Sequence, residues 1–151
     1  MTSELKTHIQ NEMKNAMRAH EKERLATIRL ILAALKQKEV DERIVLTDEQ
    51  IIQILDKMVK QRRESITHYQ AGNRPDLVIQ EEAEIGIIQQ FLPAQLSVAE
   101  VEQLIQTAVH EYGAVSARDM GKVMALLKPK MQGRVDMASV SNKVKEQLSK
   151  V

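Results

Sequence analysis

Apolar residues recur along this chain at three- and four-residue steps, and no stretch alternates apolar and polar positions as a strand would. A first helix is expected to open near Thr2 or Ser3, with Leu5, Ile9, Met13, Ala16 and Met17 on one face. The polar run from His20 to Arg24 reads either as a break or as an exposed turn of a continuous helix. A second helix sets Leu25, Ile28, Leu32 and Leu35 at coiled-coil-like spacing and frays among the charges from Asp41 to Arg43. Thr47, with Gln50 three residues on, forms a capping box that starts a third helix. Its stripe reads Ile52, Leu55, Val59, Arg62, Ile66 and Tyr69. Gly72 supplies a stop, and Pro75 suits the first turn of a fourth helix carrying Val78, Glu81, Ile85, Ile88 and Leu92.

The segment Phe91-Leu-Pro-Ala-Gln-Leu96 reads as a boundary. Ser97 and Glu100 form another capping box, and the fifth helix carries Val101, Leu104, Ile105, Ala108 and Tyr112 up to Gly113. Ser116 with Asp119 opens a sixth helix striped by Met120, Val123, Met124 and Leu127. Pro129 lacks a backbone donor and disfavours a helical Lys128, so this helix is expected to end near Leu127. Lys128 and Lys130 would then flank a turn, Gly133 would allow a bend, and Asp136 would cap a last helix. That helix carries Met137, Val140, Val144 and Leu148, with Lys143, Lys145 and Lys150 outward. The expected fold is all-α: a four-helix N-terminal domain over 1–92, a linker at 93–96 and a three-helix tail domain over 97–151.

Two residues interrupt these stripes. Arg62 and Glu81 each stand where the period asks for an apolar side chain. If the third and fourth helices form an antiparallel hairpin, Arg62 meets Glu81, or Glu84 as a near equivalent, in a structural ion pair.

Composition narrows the function. Hydrophobic residues make up 43% of the 151, enough for a packed core. The absence of cysteine excludes disulfides, thiolate metal sites and a thiol nucleophile. No apolar run is long enough to span a bilayer, and the first residues lack a signal-peptide pattern, so a cytoplasmic protein without membrane association is the default expectation. The net charge of +1 is unevenly spread: residues 1–92 carry 14 Lys and Arg against 15 Asp and Glu, and residues 93–151 carry 8 against 6. Within the stretch from Ser116 to Asp136, Arg118, Lys122, Lys128, Lys130 and Arg134 precede Asp136 with Asp119 as the only acid among them. Such a run is either the solvated connection between two packed helices or a loop that meets an anionic partner. If the partner is nucleic acid, the contact is local and salt-sensitive.

Catalytic constellations are missing from the sequence. His8, His20, His68 and His110 have no second His or Cys at metal-ligand spacing, so no metal site is expected. The five glycines do not cluster into a phosphate-binding loop, no nucleophile elbow occurs, and no cofactor is implied. Glu81, Glu82 and Glu84 read as surface charge plus the ion pair. A second basic cluster, Lys60-Gln-Arg62-Arg63, is spread around its helix. Tyr69, Phe91 and Tyr112 all lie on or near apolar stripes, so stacking platforms for single-stranded RNA are lacking. Folded RNA remains open, because it is bound through phosphates and shape.

Several separated motifs resemble one family in the same order. They are Lys57-Met-Val-Lys-Gln-Arg-Arg-Glu-Ser-Ile66, Tyr69-Gln-Ala-Gly72, Glu84-Ile85, Phe91-Leu-Pro-Ala-Gln-Leu96 and Asp119-Met-Gly-Lys-Val-Met124. Together they are similar to the YqeY family of small bacterial proteins over essentially the whole chain. That family is similar in turn to the C-terminal helical and tail domains of the B subunit of the tRNA-dependent amidotransferase. The matching tail pattern is Gly121, Val123, Met124, a lysine at 128 or 130, Gly133 and Asp136. The resemblance implies an all-α fold and tRNA binding through the tail. It does not imply independent catalysis, since the amidotransferase catalytic machinery has no counterpart in these residues.

Three functional expectations follow. The first is a non-catalytic module binding tRNA, or a tRNA–protein complex, through Arg118, Lys122, Lys128, Lys130 and Arg134. The second is an accessory to glutamine-dependent amidation of aminoacyl-tRNA, a carbon–nitrogen ligase reaction, with an amidase or an aminoacyl-tRNA synthetase as partner. The third is a helical protein-interaction adaptor, distinguished by salt-independent partner binding without RNA affinity.

Overall fold

The computed structural model describes residues 3–113 and 116–149, and every regular element among them is helical. In chain order these are α1 (Glu4–Arg18), α2 (Lys22–Glu42), α3 (Asp48–Ala71), α4 (Pro75–Gln89), α5 (Val98–Tyr112), α6 (Met120–Met131) and α7 (Met137–Ser149). A 3-10 turn, Ala117–Asp119, precedes α6. The fold is all-α, as expected. The alternative start at Thr2 and the outward Lys150 lie outside the described residues. Two compact units, Met1–Pro93 and Ala94–Val151, each enclose their own apolar core.

Local chemistry sets the helix starts. Ser3 Oγ accepts from the Lys6 amide at 3.0 Å. Thr47 and Gln50 close a reciprocal capping box, as do Ser97 and Glu100. Each box carries an apolar residue just before the cap and another at the fourth helical position. Leu46 and Ile51 are both buried, and Leu96 and Val101 pack in the second core. These staples fix the angle at which the chain enters each helix. The run from His20 to Arg24 proves to be a break: α1 ends at Arg18, His20 turns through φ 58°, and α2 begins at Lys22. Arg24 reaches back across the break, with Nη2 3.1 Å from Glu12 Oε2 of α1.

In the first unit α3 and α4 form the most closely packed pair, α1 packs on α2 and α3, and α2 also meets α4. Ile9, Ile28, Ile31, Leu35, Ile51, Leu55 and Ile88 are fully excluded from water. Two expectations shift. Met17 is 47% exposed, because Ala16 already fills the core position one residue earlier. In α2 the innermost residues are Thr27, Ile28, Ile31 and Leu35, with Leu25 and Leu32 at the margin. The stop expected at Gly72 holds, since α3 ends at Ala71 with Gly72 as its cap; Gly72 takes an ordinary φ of −83°, and the left-handed turn falls one residue later at Asn73, φ 54°.

Arg62 Nε donates to Glu84 Oε2 at 2.8 Å, and Arg62 Nη1 donates to the Met58 carbonyl at 3.2 Å. Both partners of the pair are largely shielded, at 15% and 18% side-chain exposure. Glu81 sits beside them without a hydrogen bond to Arg62. Burial pushes the Glu81 carboxyl up, the neighbouring Glu84 charge adds to this, and Arg62 opposes it. Replacing Arg62 by Met is expected to cost about 2 kcal/mol at neutral pH, between the values for exposed and buried pairs. With Arg62 gone nothing opposes the upward push on Glu81, which binds its proton more tightly folded than unfolded, so stability falls as pH rises through its raised value. The deficit of Arg62→Met against the parent is therefore largest at neutral pH and shrinks towards pH 4–5, about the ordinary glutamate range. Urea denaturation of both proteins across that range checks it.

Candidate nucleic-acid interface

The basic stretch is centred on a helix rather than a turn. Met131 stands one helical turn beyond Leu127, and both are fully buried with Val123. Continuing the helix through Pro129 places Met131 in the core, and α6 therefore ends at Met131, not near Leu127. Pro129 removes the amide bond to the Ala125 carbonyl and crowds that carbonyl, a cost of about 3 kcal/mol inside a helix, which the roughly 2 kcal/mol from burying Met131 offsets in large part.

The end of α6 is held from outside the helix. Gly133 adopts φ 78°, a left-handed turn that favours glycine. The Arg134 amide donates to the Met131 carbonyl at 2.8 Å, and the Leu96 amide donates to the Arg134 carbonyl at 2.8 Å. Gln95 Nε2 donates to the Gly133 carbonyl at 3.0 Å. Arg134 Nε donates to the Ala94 carbonyl at 3.0 Å, and Nη1 to the Lys130 carbonyl at 3.4 Å. Residues 94–96, within the expected linker, are thus stapled to the α6–α7 connection. The guanidinium of Arg134 is committed to two backbone carbonyls.

The other four cations are placed differently. Arg118, Lys122, Lys128 and Lys130 are all solvent-exposed. Helical spacing puts Lys122, Ala125 and Pro129 on the outermost face of α6, with Lys128 on one flank and Leu126 and Lys130 on the other. Lys122 and Lys130 lie about 12 Å apart along the axis. Lys122 Nζ sits 5.4 Å from the centroid of the Tyr112 ring on α5. Hydrogen bonding to the Tyr112 side chain raises the Lys122 pKa, and Asp119 adds to this, so the ammonium stays charged. None of the four takes part in an ion pair among the described residues.

The acids of the second unit lie outside α6, Asp119 in the turn before it and Glu111 on α5 next to Tyr112 in sequence. No carboxylate occurs in α6. Glu100 and Asp119 serve their capping boxes, and Asp136 Oδ1 accepts from the Ala138 amide at 3.2 Å, the cap expected for α7. Glu102 and Glu146 line a cleft between α5 and α7, with Lys143 between them rather than fully outward. The lysines of α6 thus have no carboxylate on their own helix, and Asp119 in the preceding turn acts on Lys122. Tyr112 and Leu126 were not identified as part of this face from the sequence, because Tyr112 belongs to another helix and Leu126 falls outside the apolar period. In the second basic cluster Arg62 is taken up by Glu84, leaving Lys60 exposed and Arg63 half-buried.

Comparison with known proteins places this architecture. The family described as Yqey-like protein matches residues 6–148. The chain belongs to the YqeY family. Curated relatives include "Altered inheritance of mitochondria protein 41, mitochondrial" of Eremothecium gossypii, 39% identical over 102 residues, which cover 67% of this chain and 55% of the relative. The protein of the same name from Pyrenophora tritici-repentis is 31% identical over 144 residues, 91% of this chain and 77% of the relative. That of Vanderwaltozyma polyspora is 31% identical over 120 residues, 74% of this chain and 64% of the relative. The chain spans between about half and three quarters of the length of these family members. The cytoplasmic expectation is corrected by these names, since these relatives are named as mitochondrial proteins.

The roles of the cations separate under mutation. Arg134→Met removes the bonds to the Ala94 and Lys130 carbonyls and is expected to cost about 1–3 kcal/mol. Lys128→Gln and Lys130→Gln are expected to change stability by no more than about 0.5 kcal/mol. Urea denaturation of the three variants measures the difference.

Proposed function

We propose that the protein is a non-catalytic RNA-binding module whose second unit acts as a tail domain holding a folded RNA, a tRNA being the favoured class. The observation that carries this reading is the α6 face: exposed lysines at positions 122, 128 and 130, with no carboxylate in the helix. Arg118 continues the charge at the turn before it. Lysines on a rigid helix suit phosphates as point charges and read no sequence, which fits recognition by shape. The similarity of the tail motif to the tRNA-holding B subunit of the amidotransferase supports the same class of ligand. That likeness carries no chemistry with it, because function resides in a site rather than a fold. A role beside an amidase or synthetase would be supplied by the partner's active site.

Arg118, Lys122, Lys128 and Lys130 changed together to glutamine, with Arg134 intact, tests the reading. Each phosphate contact contributes roughly 0.9 to the slope of log affinity against log salt on duplexes. The variant is expected to fold normally, bind unmodified bulk tRNA more weakly and lose about 2 to 3 from that slope. Filter binding at several salt concentrations measures it. Equal affinity and slope for parent and variant would remove α6 as the site.

A further inference from the structure

The first unit carries a second surface that the RNA reading does not use. Most α-helices in a bundle have one apolar face, but α2 has two. Ile28, Ile31 and Leu35 are buried in the core, and on the opposite side Ala26, Leu30, Ala33, Gln37 and Val40 are all exposed. These five follow one another at steps of four, three, four and three, the a/d spacing of a coiled coil. Leu30 is 48% and Val40 63% exposed. Beside them α4 presents Ile79, at 66% exposure, with Ala83 and Gly86. A side chain at Gly86 would meet nothing within 4 Å. The groove between the two helices is floored by Ala26, Thr27, Ala83 and Ile87. Small residues at such positions let a further helix approach closely.

Charge says which helix. Lys22, Arg29 and Lys36 run along the flank of this stripe at seven-residue steps, about 10 Å apart. All three are exposed, and none forms an ion pair among the described residues. They occupy the position next to the a/d seam that selects coiled-coil partners by charge. Of the groove's acids, Asp76 is paired with Arg74 and Glu84 with Arg62, leaving Glu23, while Glu82 lies on the far flank of α4. A second copy does not satisfy the basic row. Antiparallel pairing of two α2 helices sets the row against itself, and parallel pairing opposes it with Thr27, Ala34 and Asp41, only one of them an acid. RNA would match the cations but not the apolar seam between them. The geometry points to the α2–α4 face of the first unit as a docking groove for an amphipathic helix of another protein, apolar on one face and acidic along the flank that meets Lys22, Arg29 and Lys36.

The test uses the full chain and a labelled helical peptide of about two heptads, with alanine at a, leucine at d and glutamate at e and g. A second peptide carries lysine at e and g. Fluorescence anisotropy is expected to show the glutamate peptide binding at least about tenfold more tightly. Lys22→Glu, Arg29→Glu and Lys36→Glu together should reverse that preference, which misfolding would not do, and Leu30→Asp should weaken both. Absence of peptide binding, a preference unaffected by the triple reversal, or equal binding of both peptides would overturn the proposal. So would loss of tRNA binding in the triple variant, which would assign the row to nucleic acid. Sedimentation showing a parent dimer that Leu30→Asp dissolves would likewise overturn it, with a second copy as the occupant.

Discussion

The basic face of the second unit depends on keeping Met131 in its core. Met131 is fully buried, and α6 reaches it only by remaining helical through Pro129. The left-handed turn at Gly133 then reverses the chain, and hydrogen bonds from Leu96, Gln95 and Arg134 secure that reversal. Buried backbone groups at a helix end must find partners, and here the segment 94–96 and one guanidinium provide them. With the end of α6 anchored, Lys128 and Lys130 have nowhere to go but outward. They point to opposite flanks because they are two residues apart on a helix rather than sharing a loop.

This arrangement makes a local field out of a nearly neutral protein. A net charge of +1 would not attract a polyanion. The sorting of charges by element does what the total cannot. Half of the acids of residues 93–151 are Glu100, Asp119 and Asp136, each placed at a helix start. There they complement the positive end of the helix dipole and satisfy exposed amides. Glu102 and Glu146 face the cleft between α5 and α7. The lysines are left on α6, where Tyr112 holds one of them in place across from α5.

Much of this was legible from the amino acids, and what escaped has physical reasons. Helix starts were readable because capping is local: Ser3, Thr47, Ser97 and Ser116 each signal within four residues. The buried faces of α5 and α7 were readable because each has a single apolar stripe, except that Tyr112, expected on that of α5, is exposed. The inner face of α2 was read in part: Ile28 and Leu35 are buried as expected, while Thr27 and Ile31 take the other innermost places and Leu25 and Leu32 pack at the margin, a shift that periodicity leaves open in a helix apolar on two sides. The end of α6 was misjudged because local rules for proline were weighed without the burial waiting at Met131. In the candidate site, the cations Arg118, Lys122, Lys128 and Lys130 could be picked out as a run. The different employment of Arg134 could not, since its acceptors at Ala94 and Lys130 are set by tertiary folding. The partner of Arg62 was open for the same reason, as Glu81 and Glu84 lie one turn apart on one face of α4.

Ultraviolet crosslinking of the protein to bulk tRNA, followed by mass spectrometric mapping of the modified peptides, tests the central claim most directly. The account predicts adducts concentrated between Arg118 and Lys130, lost when unlabelled tRNA is added in excess. Adducts confined to residues 4–92, with α6 unmodified, would contradict it.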